Sequence, residues 1–198
     1  MSAKVSSFIN VNARGYRHVF MLVAWNEYAW AVRDEMNRQA EAFGKDLGEH
    51  GLFVQPYDGR EYDTAAQVLA KDWPKAIKRR LDEAQEPALL ILGTDFAAFN
   101  PTTHDWALIW LSDFDERPRE IMRALAALAH KTRQGEDVIR FLHETARASR
   151  AGAIARSVNS VVKLKPGLFG VSLDVNALLG RIGGQANVAM PDTHLKRE

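Results

Sequence analysis

The segment that most constrains the fold is Pro87 to Asp95, an apolar run that ends in small and acidic residues. Its centre, Ala88 to Leu92, consists of five consecutive apolar residues, and Gly93 closes the run. A run this short and this apolar predicts a strand that is buried on both faces. Such strands occupy the middle of α/β sheets, and ligands tend to bind just beyond the carboxyl ends of the strands. We therefore expect candidate ligand-binding residues directly after this strand, at Thr94 and Asp95.

Two further apolar runs alternate with helical patterns before this strand. His18 to Trp25 predicts the first strand, and Leu52 to Tyr57 predicts the second. Between them, apolar residues recur every three or four positions from Ala29 to Leu47, which is the pattern of one helix face. A second helix is predicted from Pro74 to about Ala84, because proline is tolerated in a first helical turn. Strands that alternate with helices favour parallel pairing, so we expect the first three strands to be parallel.

The second half of the chain adds strands and helices to the same sheet. Trp106 to Leu111 predicts a fourth strand, a helix opens at Pro118, and another begins near Val138. Val161 to Leu164 and Phe169 to Val175 flank a Pro-Gly turn and predict a β-hairpin. The expected fold class is α/β, with a mostly parallel sheet of about five or six strands, flanking helices and a C-terminal β-hairpin.

The bulk properties predict one soluble domain. The chain has 198 residues, of which 46% are hydrophobic and 26% are charged, as is ordinary for a globular protein. We expect a flexible lead-in over residues 1–16, a single α/β domain over 17–182 and a frayed tail over 183–198. The chain has no cysteine, which excludes disulfides and thiol catalysis. No segment resembles a signal peptide or a membrane span, so we expect a cytoplasmic protein without a membrane partner.

Polar and acidic residues follow the predicted strands at the points where they end. The carboxyl ends of parallel strands meet at one edge of a sheet, so these side chains would form an acidic rim there. Such a rim would bind a nucleotide through its ribose, NAD being one example, or a divalent cation. The same residues also suit the first turns of the following helices, and this alternative stays open. The candidate ligand-binding residues are Trp25, Asn26, Glu27, Asp58, Thr94, Asp95, Asp113 and Asp115, and the last two join the rim only if the fourth strand is parallel as well.

The sequence lacks the motifs of several common enzyme classes. No Gly-x-Gly-x-x-Gly follows the first strand, and no phosphate-binding Gly-x-x-x-x-Gly-Lys-Ser/Thr occurs, which disfavours a Rossmann dehydrogenase and a P-loop ATPase. No Gly-x-Ser-x-Gly occurs either, which disfavours a serine hydrolase of that type. His104 and Asp105, like Asp113 and Asp115, lack the spacing of a recognised metal motif. We therefore expect no metal site.

A stretch without acidic residues extends from Thr145 to Leu173. Its positive charge suggests a face for an anionic partner, and a solvated helix face is the alternative. Aromatic residues do not alternate with the basic ones, and the net charge of the chain is only +1, so we do not expect a nucleic-acid partner. The candidate residues of this face are Arg147, Arg150, Arg156, Lys163 and Lys165.

The order of predicted strands and helices and the pattern of apolar residues over residues 17–95 resemble those of TIR-like and flavodoxin-like prokaryotic signalling domains. The resemblance rests on the first strand and its long helix, on the segment from Asp72 to Ile77 with its tryptophan, and on the apolar run from Ala88 to Leu92. It implies an α/β signalling domain, and in the enzymatic members a glutamate after the third strand cleaves NAD. The segment from Phe96 to Asp105 contains no glutamate, so the resemblance does not extend to that activity.

Three hypotheses follow for the function. The first is a signalling or interaction module of a bacterial signalling or defence pathway that assembles with a protein partner or with itself. The second is an enzyme or sensor that binds a nucleotide such as NAD at the carboxyl ends of the strands. The third is a nucleic-acid-associated protein that uses the basic face. A ligand-induced rise in the melting temperature would favour the second hypothesis, and salt-dependent affinity for oligonucleotides would favour the third.

Overall fold

The computed structural model describes residues 1–24, 30–111, 118–154 and 170–173, with side chains in 1–24, 38–111 and 122–147. Over these residues the chain forms a single six-stranded sheet with helices on both faces. The strands are β1 Ser2–Val5, β2 His18–Val23, β3 Gly51–Pro56, β4 Ala88–Leu92, β5 Trp106–Trp110 and β6 Gly170–Leu173, and the helices are α1 Trp30–Asp46, α2 Glu61–Leu69, α3 Lys75–Asp82, α4 Pro118–Arg133 and α5 Val138–Ile154.

Strand β4 lies inside the sheet, where the order is β1-β3-β2-β4-β5-β6. All five of its residues are buried, as the apolar run predicts. Leu89 and Ile91 point to one face and Leu90 and Leu92 to the other, so both faces of the strand contribute to the core. The predicted α/β class with flanking helices is confirmed.

The direction of β4 differs from the expectation. β4 runs antiparallel to both neighbours, with Leu92 opposite Val19 of β2 and Trp106 of β5. The parallel pairing of β2 with β3 is confirmed, but the expected parallel pairing of the third predicted strand is wrong. The connection from β3 to β4 contains two helices, α2 and α3. A second helix returns the chain to the edge of the sheet where β3 ends, so β4 begins there and runs back.

The sheet is consequently mixed. β5 is antiparallel to β4 and therefore runs in the same direction as β2 and β3, and β6 is parallel to β5. Five of the six described strands share one direction, and β4 runs against them.

The first 16 residues are not a simple lead-in to the domain. Strand β1 pairs in parallel with β3, and the Val5 carbonyl accepts a hydrogen bond from the Tyr57 amide at 2.8 Å. Phe8 is fully buried and meets Phe96 edge to face, with 5.7 Å between ring centroids. A four-residue edge strand with polar side chains at Ser2 and Lys4 has too little apolar pattern to be recognised in the sequence.

At the other end of the chain, β6 confirms a strand within the predicted segment 169–175. The other arm of the predicted hairpin, 161–164, and the predicted tail lie outside the described residues. Among the described residues no helix is long and apolar enough to cross a membrane.

The core has one cluster on each side of the sheet. Phe43 of α1, Leu128 of α4 and Leu142 of α5 cover one face. Val68 of α2 and Leu81 of α3 cover the other. Helices α4 and α5 follow β5 on the first face, and the start of α5 reaches the edge where β4 ends.

Candidate ligand-binding site

A cleft opens where the carboxyl end of β4 meets the amino ends of β2 and β5. It has a volume of about 580 Å³, which is within the range of about 300 to 1,000 Å³ that is usual for small-molecule sites. Nine of its lining residues are arginine, histidine or acidic, and we call it the histidine cleft after its three histidines. It is lined by Arg17, His18, Gly93, Thr94, His104, Asp105, Asp137, Ile139, Arg140, His143, Glu144 and Arg147.

His18, the first residue of β2, contributes a buried imidazole to the cleft. Its exposed fraction is 2%, and its Nε2 lies 3.7 Å from Oδ1 of Asp137. Its Nδ1 is buried and has no hydrogen-bond partner among the described residues. Burial lowers the pKa of His18, and the carboxylate of Asp137 only partly opposes this effect. The neutral imidazole is therefore favoured in the folded protein.

Asp137 joins the start of α5 to β2. Its Oδ1 accepts a hydrogen bond from the backbone amide of Arg140 at 3.0 Å, in the manner of a helix cap. Its Oδ2 lies 3.9 Å from a guanidinium nitrogen of Arg17. Burial acts to raise the pKa of Asp137, but the Arg140 amide and the neighbouring His18 and Arg17 side chains outweigh it, so the pKa lies below its ordinary value. The carboxylate is thus ionised and already engaged by the protein.

His143 lies across the cleft on α5 and is oriented by the backbone of β5. Its Nε2 lies 3.0 Å from the carbonyl oxygen of Trp106. A carbonyl oxygen only accepts, so this bond assigns the proton to Nε2 and leaves Nδ1 as the unprotonated nitrogen of the neutral ring. His143 is partly exposed, and among the described residues its Nδ1 makes no hydrogen bond.

Four side chains of the cleft come from the same face of α5. Arg140, His143, Glu144 and Arg147 are spaced by three or four residues, so they share one side of the helix. Arg140 donates to Oε1 of Glu144 at 3.2 Å. Arg147 is exposed and forms no ion pair within the described part of the chain.

Of the predicted site residues, Thr94 lines the cleft. Asp95 does not, because it has a structural role: its Oδ1 accepts a hydrogen bond from the Ala13 amide at 2.8 Å. Asp58 follows β3 and therefore lies at the opposite edge of the sheet, where it is exposed and 3.9 Å from Nζ of Lys4. The expectation that Asp58 and Thr94 share one acidic rim is wrong, because β4 runs against β3.

The structure does not describe the remaining residues of the predicted acidic rim. Trp25, Asn26, Glu27, Asp113 and Asp115 lie outside the described residues. The strands that precede them, β2 and β5, do run in the same direction.

The predicted basic face is described at one position only. Arg147 lines the histidine cleft. The side chain of Arg150 and the whole of Arg156, Lys163 and Lys165 lie outside the described residues.

Most residues of the cleft could not be predicted from the carboxyl ends of the strands, because they lie at the start of a strand or on helix α5. Arg17 and His18 lie at the start of a strand and not after its end, and they meet Thr94 only because β4 is reversed. The recurrence of Arg140, His143 and Arg147 at helical spacing was visible in the sequence and would have indicated a polar helix face. Within the described part of the chain no group of three His, Asp or Glu residues is arranged to hold a metal ion.

Comparison of the chain with protein-family models, with curated proteins and with solved structures found no match in any of the three. The resemblance of residues 17–95 to TIR-like and flavodoxin-like domains therefore stays a prediction.

Proposed function

We propose that this chain is a sensor-type module that binds a small anionic ligand, a nucleotide such as NAD being the favoured class, in the histidine cleft. The observation that carries the proposal is the convergence of three arginines and three histidines on one cleft. The proposal keeps the nucleotide hypothesis but moves the ligand from the carboxyl ends of β2 and β3 to the carboxyl end of β4.

The composition of the cleft supports an anionic ligand. Guanidinium groups bind phosphate oxygens through paired hydrogen bonds, and histidines donate to the same oxygens when they are protonated. The three acidic residues of the cleft balance its three arginines in formal charge. Two of these acidic residues already have partners in the protein. Asp137 pairs with Arg17 and accepts a backbone hydrogen bond, and Glu144 pairs with Arg140. Arg147 has no such partner among the described residues and is available to a ligand.

The second part of the proposal is that ligand binding has a signalling output, assembly with a protein partner or a second copy of the chain. The candidate contact residues are Ile9, Tyr57 and Tyr62, whose large side chains are at least half exposed. Light scattering after size-exclusion chromatography, with and without ligand, would show whether the mass changes.

The test of the binding proposal is thermal unfolding of the purified protein against NAD, ATP, AMP, adenosine and pyrophosphate. A ligand that binds only the folded state at one hundred times its Kd adds about 2.7 kcal/mol to the free energy of unfolding. For a chain of this size that raises the Tm by roughly 5 to 10 °C. We expect such a shift with at least one phosphate-containing compound.

The matched variants are Arg147→Gln and Arg123→Gln. Both arginines are exposed on helices, but only Arg147 lines the cleft. We expect Arg147→Gln to weaken binding by about tenfold or more, because it removes a charge-assisted contact, and Arg123→Gln to leave binding unchanged. The absence of a shift with every compound, or an equal loss in both variants, would overturn the proposal.

A further inference from the structure

Helix α5 presents two arginines, a histidine and a glutamate, Glu144, to the cleft on one face. Arg140, His143 and Arg147 all line the cleft, and they are three and four residues apart. On an α-helix this spacing places the three side chains in a row of about two turns. Thr94 and Gly93 at the end of β4 line the same cleft.

The histidine in the middle of this row is held in a defined orientation. Its Nε2 is committed to the carbonyl oxygen of Trp106, 3.0 Å away. The ring therefore has one nitrogen, Nδ1, for other contacts, and no side chain among the described residues uses it. A neutral His143 presents a lone pair at Nδ1, and a protonated His143 presents an N–H donor.

We propose that the face formed by Arg140, His143 and Arg147 is the subsite for a phosphoryl group, and that the proton on Nδ1 of His143 controls its affinity. The inference rests on the proposed function, because it assigns the phosphate of the ligand to one side of the same cleft. The ionised oxygens of a phosphoryl group only accept hydrogen bonds, so each of them needs a donor. The two guanidinium groups are donors at any pH, whereas His143 becomes one only when protonated.

Charged side chains from several elements line the cleft together with His143. Arg140, Glu144 and Arg147 come from the same helix as His143, Arg17 and His18 from the start of β2, and His104 and Asp105 from the segment before β5. Asp137 completes the lining at the start of α5. The arginines and acids balance in formal charge, so a protonated histidine makes the cleft net positive. Histidine is the side chain that changes charge between about pH 5 and 8.

The test is calorimetric titration of the protein with inorganic phosphate and with sulfate between pH 6 and pH 8. Sulfate remains a dianion over this range, so a change in its affinity reports a proton on the protein and not on the probe. We expect the affinity for sulfate to rise by about tenfold from pH 8 to pH 6, since one charge-assisted donor is gained.

Two variants make the test specific. His143→Gln keeps an amide nitrogen near the position of Nε2, where it can still donate to the carbonyl of Trp106, and it removes the titrating nitrogen. We expect this variant to lose the pH dependence. His130→Gln removes an exposed histidine of α4 that does not line the cleft, and we expect the wild-type pH dependence to persist.

Nitrogen chemical shifts of the imidazole give a second readout that does not depend on a variant. The wild-type protein without ligand should show a proton on Nε2 of His143, and addition of sulfate should increase the protonation of Nδ1. An unchanged pH dependence in His143→Gln, or a His143 ring protonated at Nδ1 alone at pH 8, would overturn the inference.

The outcomes separate this inference from the proposed function. Nucleotide binding without any affinity for phosphate or sulfate would contradict the phosphoryl subsite and leave the ligand proposal standing. The same holds for phosphate binding that is independent of His143. No binding of nucleotides, phosphate or sulfate would contradict both.

Discussion

His18 is the residue at which the fold and the candidate site depend most directly on each other. It begins a buried strand, and its side chain is almost fully enclosed although it is polar. One ring nitrogen faces the carboxylate of Asp137, and the other has no partner among the described residues. Protonation would place a charge where only one nitrogen has an acceptor, which explains why burial lowers the pKa of His18.

The lowered pKa predicts how stability depends on pH. Below about pH 6.5 His18 is protonated in the unfolded chain. In the folded protein His18 binds this proton only at a lower pH, because its pKa is lowered there. The free energy of unfolding should therefore fall as the pH drops through this window, at a slope of up to about 1.4 kcal/mol per pH unit. Asp137, whose pKa is also lowered, contributes in a separate window below about pH 4, where protonation of its carboxylate removes stability.

Urea unfolding of the wild type and of His18→Gln between pH 5 and pH 7.5 checks this prediction. We expect a weaker pH dependence in His18→Gln, because the titrating group is gone. His130→Gln is the control, since His130 is exposed and should leave the curve unchanged. Parallel pH curves for the wild type and His18→Gln would show that His18 does not take part in the linkage.

Among the elements, helix α1 shows how closely the first strand is packed. Gly44 lies near the end of this helix, and a Cβ added there would lie 2.6 Å from the backbone nitrogen of Ser2 and 2.7 Å from the carbonyl carbon of Met1. Both are backbone atoms of the segment that leads into β1, so they can move only if the strand moves. The glycine therefore lets the helix cross β1 at short range.

This packing predicts that Gly44→Ala destabilises the protein, although alanine is the better helix former. Helix propensity alone would make alanine more stabilising by about 1 kcal/mol. Because β1 has to shift, we expect a loss of about 1 to 3 kcal/mol instead. Urea unfolding measures the change, and Glu41→Ala at an exposed position of the same helix should stay within about 0.5 kcal/mol of the wild type. A stabilised Gly44→Ala variant would contradict the close crossing.

At the scale of the molecule, the sequence identifies the elements better than it identifies their directions. The apolar run at Ala88–Leu92 and the helical spacing before it predict a buried strand and α1, because burial and periodicity are properties of each segment by itself. The direction of β4 depends on how many helices separate it from β3, which no periodicity records. Since the direction of β4 decides which strand ends share an edge, the predicted site could include Thr94 but had to miss His18.

The central claim is that the ligand lies at the carboxyl end of β4 and not at the carboxyl ends of β2 and β3. Titration of the ¹⁵N-labelled protein with pyrophosphate, the group shared by NAD and the nucleoside diphosphates, tests it most directly through the backbone amide shifts. We predict the largest changes at Gly93 and Thr94 and along α5 at Arg140 and His143. Changes that cluster instead around Asp58 at the opposite edge, or no saturable change at all, would contradict the account.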